Sequence, residues 1–230
     1  MPYSKITENV FQIGGGSFSG SGDAGVFLVL CKDESLVLID SGVNSYEILI
    51  QNVEEIGFSS DRIRTLILTH AHIDHTGTAA EFKKNLNVQI YAHDWEREAI
   101  EGVPGTEKII AASWYGVPYY PVKVDVILKN QEEKHKIGGT EFLFIHTPGH
   151  TPGSIAVLVE DEDKRILFGQ DIHGPFMEEF NSNISDWVDS MKLLISKKAD
   201  ILCEGHFGIY QPAPNVEKYI RGQLRQNNKG

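Results

Sequence analysis

Between Thr69 and Gly77 the sequence reads THAHIDHTG, directly after the apolar run TLIL. His70, His72, Asp74 and His75 therefore fall within six residues. A tight loop at the carboxyl end of a buried strand can point several such groups inward. Imidazole and carboxylate together suit zinc, iron or manganese. Crowding them without a cation would leave their polarity and charge uncompensated. The segment thus demands a fold in which a strand ends at a pocket that other parts of the chain can reach.

Three later residues stand in similar surroundings. His150 lies in HTPGHTPGS after the apolar run EFLFI, Asp171 in LFGQD, and His206 in LCEGHFG. Each follows an apolar run and precedes a turn rich in glycine, proline or polar residues. Open α/β sheets place their sites beyond strand ends in this way.

The rest of the chain alternates short strands and helices. Strands are predicted at Val26–Cys31, Leu36–Ile39, Thr65–Thr69, Val88–Ala92, Glu141–His146, Ile155–Val159, Arg165–Phe168 and Ala199–Cys203. Helices are predicted from a Ser45 cap to Ile56 with a stop at Gly57, and over Thr76–Asn85, Asp94–Glu101 and Glu107–Ser113. Two more are predicted after a Ser185 cap and from near Asn215, the latter fraying in the polar tail. Pro118 and Pro121 break the aromatic patch WYGVPYYPV at Trp114–Val122. This pattern predicts an α/β protein with substantial sheets and outer helices. His93 reads as structural or surface, His135 as part of a solvated charged turn, and His146 as a strand end. The Gly14–Gly16 run lacks the lysine or helix opening of a phosphate loop.

Composition narrows the function. The net charge of −11 disfavours nucleic acid and anionic membranes as partners. Two cysteines, Cys31 and Cys203, read as buried free thiols rather than a disulfide framework. No apolar stretch is long enough to cross a bilayer, and Met1–Gly14 has no signal-peptide pattern. A cytoplasmic protein is expected, monomeric or homodimeric, acting on a small molecule.

On HAHIDH, HTPGHTPGS, the GQD aspartate and the EGH histidine, in that order, the chain resembles the metallo-β-lactamase-fold hydrolases. It looks most like their glyoxalase II, thioesterase-like and lactonase-like branches. The resemblance covers nearly the whole chain and implies one domain over residues 1–230. The implied fold is a four-layer αββα sandwich, two mixed β-sheets flanked by helices. It also implies that His70, His72 and His150 hold one metal, that Asp74, His75 and His206 hold a second, and that Asp171 bridges both. Asp40, in LVLIDSG, matches an aspartate that braces the histidine loop in related proteins.

The implied cofactors are two divalent ions, zinc first, with iron and manganese as alternatives. Two such ions about 3.5–4 Å apart can share a hydroxide that attacks a carbonyl or phosphorus. Asp74 and Asp171 would be the catalytic carboxylates. The expected reaction is hydrolysis of a small carboxylic thioester, ester or lactone. Trp114–Tyr120 is expected to close the pocket, with Tyr115, Tyr119 and Tyr120 offering hydroxyls, and His173 to line it. Only 24 residues follow His206, fewer than the helical part with which glyoxalase II binds glutathione. Three alternatives stay open: a phosphodiesterase using the same metals, an iron-dependent sulfur dioxygenase or redox protein, and a non-catalytic metal-stabilised binding module.

Overall fold

A computed structural model describes residues 2–227. The fold is built from two mixed sheets and their covering helices. The first sheet contains β1 (Ser4–Lys5), β2 (Val10–Gln12), β3 (Phe27–Leu30), β4 (Leu36–Ile39), β5 (Ile63–Ile67), β6 (Gln89–His93) and β7 (Val126–Leu128), in that spatial order. β1 to β4 pair antiparallel, and β4 to β7 pair parallel. The second sheet contains β8 (Glu132–Ile137), β9 (Thr140–His146), β10 (Ile155–Asp161), β11 (Lys164–Gln170), β12 (Ile201–Glu204) and β13 (Ile209–Tyr210), again as spatial neighbours in chain order. Its one parallel pair is β11 with β12.

Side-chain alternation explains the layering. Successive strand residues point to opposite faces. Phe27, Val29, Val37 and Ile39 therefore meet Phe142, Val157, Ile166 and Phe168 between the sheets. Their neighbours Leu28, Leu36, Leu38 and Leu66 face outward onto helices. α1 (Tyr46–Ile56) supplies Leu49 and Val53 to that outer layer, and α3 (Ala79–Leu86) supplies Phe82. On the opposite side Ala156, Leu158, Leu167 and Leu202 meet Trp187, Met191 and Leu194 of α7 (Ile184–Ser196) and Ile220 of α8 (Ala213–Asn227). Where both faces are covered, the inner strands such as β4, β10 and β12 read as nearly continuous apolar runs. The shorter helices α2 (Ile73–Thr76), α4 (Asp94–Ile100), α5 (Glu107–Ile110) and α6 (Ala112–Tyr115) lie along loops that follow β5 and β6. This is the expected four-layer αββα sandwich.

Local departures have local causes. The charged segment around His135 is not a turn but β8, an edge strand paired only with β9. Its outward residues are charged, as an exposed edge requires. Ser45 occupies the position before α1 but makes no cap bond; its hydroxyl donates to the Asp23 carboxylate instead. α7 is capped by Asn183, whose Oδ1 accepts from the Ser185 and Asp186 N–H groups, rather than by Ser185. The helix expected over Thr76–Asn85 is split into α2 and α3, and the one expected over Glu107–Ser113 into α5 and α6. α8 begins at Ala213, so Pro214 sits in its first turn, where its missing N–H is tolerated. The fraying expected of the tail beyond Asn227 lies outside the described residues. Cys31 and Cys203 are both buried and free. No helix among the described residues is long and apolar enough to cross a membrane.

Candidate metal centre

The ligand-type residues converge from both sheets. His70 and His72 lie in the loop after β5, and Asp74 and His75 lie on α2. His150, Asp171 and His206 follow β9, β11 and β12. β4 to β6 run parallel in the first sheet, and β9, β11 and β12 share one direction in the second. The residues therefore meet at the carboxyl ends of strands from both layers.

Two groups result. Ligand atoms of His70, His72, His150 and Asp171 lie within 4.8 Å of one another, as do those of Asp74, His75, Asp171 and His206. Asp171 belongs to both groups. In the first, His70 Nε2 and His150 Nε2 are each 3.0 Å from His72 Nδ1. In the second, His206 Nε2 is 3.1 Å from Asp74 Oδ2 and 3.3 Å from Asp171 Oδ2. His75 Nε2 lies 3.3 Å from Asp171 Oδ1, yet neither atom has a properly formed hydrogen bond. Buried polar atoms left in this state are unusual and call for a partner. A divalent cation satisfies both, and the mixed imidazole and carboxylate set suits one.

Supporting residues fix the ring orientations. His150 Nδ1–H donates to the Pro175 carbonyl at 2.8 Å, which leaves Nε2 as the lone-pair nitrogen. His75 Nδ1–H donates to Asp40 Oδ2 at 2.7 Å. The same Asp40 accepts from the Thr69 N–H at 2.9 Å and from the Thr69 hydroxyl at 2.8 Å. Asp40 adopts a left-handed φ of 61° directly after β4, a conformation aspartate tolerates better than most residues. Two glycines permit close approach. A Cβ on Gly205 would lie 2.2 Å from Asp171 Oδ1, and one on Gly149 would lie 2.3 Å from Trp187 Cβ.

The two groups differ in charge. Burial pushes His70, His72 and His150 below the ordinary imidazole range, His72 to about 3. Burial also opposes the charged form of His75, but the Asp40, Asp171 and Asp74 carboxylates outweigh it and hold His75 well above that range. His206 is pushed up to about 10, with burial again opposing and Asp171 prevailing. Burial opposes ionisation of Asp171 too, yet His75 and His206 hold it well below the usual carboxylate range.

A cavity of about 300 Å³ opens over this floor. His72, Asp74, Asp171 and His206 form its base. Tyr115 and His173 line it, as does Trp114. Tyr119 and Tyr120 are not among the lining residues. Tyr119 donates its hydroxyl to the Ile100 carbonyl at 2.9 Å, and Tyr120 is 61% exposed. Of the aromatic patch, only its first residues, Trp114 and Tyr115, line the cavity.

Four contributors were not singled out from sequence. Glu96 on α4 is buried and accepts from the Ala71 N–H at 2.8 Å, the Gly153 N–H at 2.7 Å and the Thr151 hydroxyl at 2.8 Å. It ties the His70–His72 loop to the His150 loop. Glu204 accepts from His173 Nδ1 and from the His206 and Phe207 N–H groups, each at 2.7 Å. Phe180 and Phe207 line the cavity. Glu204 had a visible signal, a lone carboxylate inside the apolar run before His206; Glu96 reads as an ordinary helix-surface acid.

Comparison with known proteins agrees with this architecture. A stretch 31% identical over 151 residues is shared with hydroxyacylglutathione hydrolase GloC of Haemophilus influenzae, covering 63% of this chain and 64% of that protein, less than two thirds of its length. The metallo-beta-lactamase fold-containing protein ST1585 of Sulfurisphaera tokodaii is 25% identical over 216 residues, covering 85% and 77%. Among solved structures, the class B3 di-zinc metallo-beta-lactamase LRA-12 from an Alaskan soil metagenome superposes with a TM-score of 0.78 at 22% identity, covering 99% and 91%. That likeness concerns the fold. Residues 21–206 match the family described as the Metallo-beta-lactamase superfamily, and the chain belongs to it.

Proposed function

We propose that the protein is a dinuclear-metal hydrolase of a small carboxylic thioester, ester or lactone. The observation that carries the reading is the pair of ligand groups sharing Asp171 at the base of one small cavity. His70, His72 and His150 would hold one ion, Asp74, His75 and His206 the other, and Asp171 both. Bound divalent cations would polarise the substrate carbonyl and bring the ionisation of a water toward neutral pH.

The remaining work falls to the protein. Asp74 and Asp171 present carboxylate oxygens that can accept a hydrogen bond from an attacking water and orient it. Asp40, anchored by Thr69, keeps the His75 ring in place. Tyr115 lines the cavity, and burial together with the Asp74 carboxylate raises its phenol above the ordinary range. It therefore keeps its proton at neutral pH and can donate to a substrate oxygen. The similarity to a hydroxyacylglutathione hydrolase supports an acyl-bond substrate over a phosphodiester.

Metal-loaded protein should be assayed against carboxylic esters, thioesters, lactones and bis-(p-nitrophenyl) phosphate. Turnover of at least one carboxylic substrate is expected. Activity confined to the phosphodiester would overturn the assignment.

Metal loading should also be asymmetric in protons. His70, His72 and His150 are pushed below the ordinary imidazole range and His75 and His206 are held above it, so loading the group that contains His75 and His206 should release more protons than loading the other. Affinity for the ion in that group should be the more strongly weakened by acidification. Calorimetric titration in buffers of different ionisation enthalpy measures this directly. Equal proton release for both ions would contradict it.

A further inference from the structure

The cavity wall has a chemical character that the metal ligands do not dictate. Two runs of ring contacts lead outward from the histidines. In one, Phe180 lies 4.2 Å from His72 and Trp114 lies 5.1 Å from Phe180, centroid to centroid. Exposure rises along it, from 1% at Phe180 to 55% at Trp114. In the other, His173 is 5.5 Å from His206 and Phe207 is 4.5 Å from His173. Phe207 is 60% exposed. Pro175 and Ala111 complete the apolar lining, and no lysine or arginine is among the lining residues. The nearest charges in sequence to Phe180 are Glu178 and Glu179, both exposed.

A carboxylate or phosphate on the part of the substrate that packs against these rings, away from the ligand floor, would lose water with no lysine or arginine among the lining residues to meet it. An alkyl or aryl group would bury apolar surface on the same walls. We propose that this cavity selects uncharged substrates, taking an ester, lactone or thioester whose apolar substituent packs against Trp114, Phe180 and Phe207 and discriminating against the same substrate bearing a distal anionic group. This rests on the hydrolase reading above and narrows its substrate class.

The test compares p-nitrophenyl hexanoate with mono-p-nitrophenyl adipate, which have the same leaving group and acyl length but differ in a terminal carboxylate. The neutral ester should be favoured in kcat/KM by at least about tenfold. Phe207→Lys should shrink that ratio severalfold by raising turnover of the adipate ester. A ratio near one, or a ratio unchanged in Phe207→Lys, would overturn the proposal while leaving ester hydrolysis intact. A second readout needs no turnover. Hexanamide should change the tryptophan emission at lower concentration than acetamide, the change disappearing in Trp114→Phe and the preference weakening in Phe207→Ala. If neither ester is cleaved but hexanamide still binds preferentially, the wall assignment stands and the hydrolase reading is decided by the thioester, lactone and phosphodiester assays above. If hexanamide and acetamide bind alike, the wall assignment falls.

Discussion

Asp171→Ala is expected to retain fewer metal equivalents than the native protein and to lose roughly 10²- to 10³-fold in hydrolytic rate. Asp171 is the one side chain common to both ligand groups, and its Oδ1 is buried without a hydrogen bond. Removing it takes a ligand from each group at once. It also removes the carboxylate that opposes the burial of His206 and His75. In metal-free protein, the His206 ring should therefore titrate lower in the variant than in the native protein, because Asp171 is the largest contribution holding it up. NMR titration of the ring, metal analysis and initial rates read these three consequences separately. Native-like metal content with an unmoved His206 titration would remove Asp171 from its shared position.

The second large effect is expected at Glu96, far in sequence from any ligand. Burial pushes its carboxyl above the ordinary range, against three hydrogen bonds that favour the ionised form. Glu96→Ala would leave the Ala71 and Gly153 N–H groups and the Thr151 hydroxyl buried without acceptors. Each such loss typically costs about 1–3 kcal/mol, and because the three share one site a total of roughly 3 kcal/mol is expected. In a protein of this size that lowers Tm by about 6–12 °C. Because Ala71 separates His70 from His72, and Thr151 follows His150, affinity for the first ion should also drop by about 10- to 100-fold. Glu96→Gln keeps one acceptor oxygen and should lie between the two. Thermal melts and competition with a zinc chelator measure both effects. Glu96→Ala with native Tm and native affinity would show that the two loops hold themselves.

The contrast between Asp171 and Glu96 shows what the sequence makes readable. His70, His72, Asp74 and His75 are adjacent in the chain, so their clustering is local and visible. His150, Asp171 and His206 each follow an apolar run, so their strand-end position is visible too, and the order of motifs supplies the pairing between sheets. The αββα layering follows from alternation such as Leu36, Leu38 against Val37, Ile39, whose two faces enter different cores. Glu96 has no local mark. Its partners lie 25, 55 and 57 residues away, and only the packing of α4 against both loops brings them to it. Tyr119 and Tyr120 stand outside the cavity lining for a related reason. Aromatic composition shows that a segment will pack, but not which of its residues meet the cavity. The β8 strand was hidden because an edge strand with charged outward residues has the composition of a turn.

The most direct test of the dinuclear centre is the zinc content of folded protein after saturation and gel filtration, measured by inductively coupled plasma mass spectrometry. About two equivalents per chain are expected, falling in both Asp171→Ala and His206→Ala. Folded native protein retaining no zinc, iron or manganese under these conditions would contradict a metal centre at these seven residues.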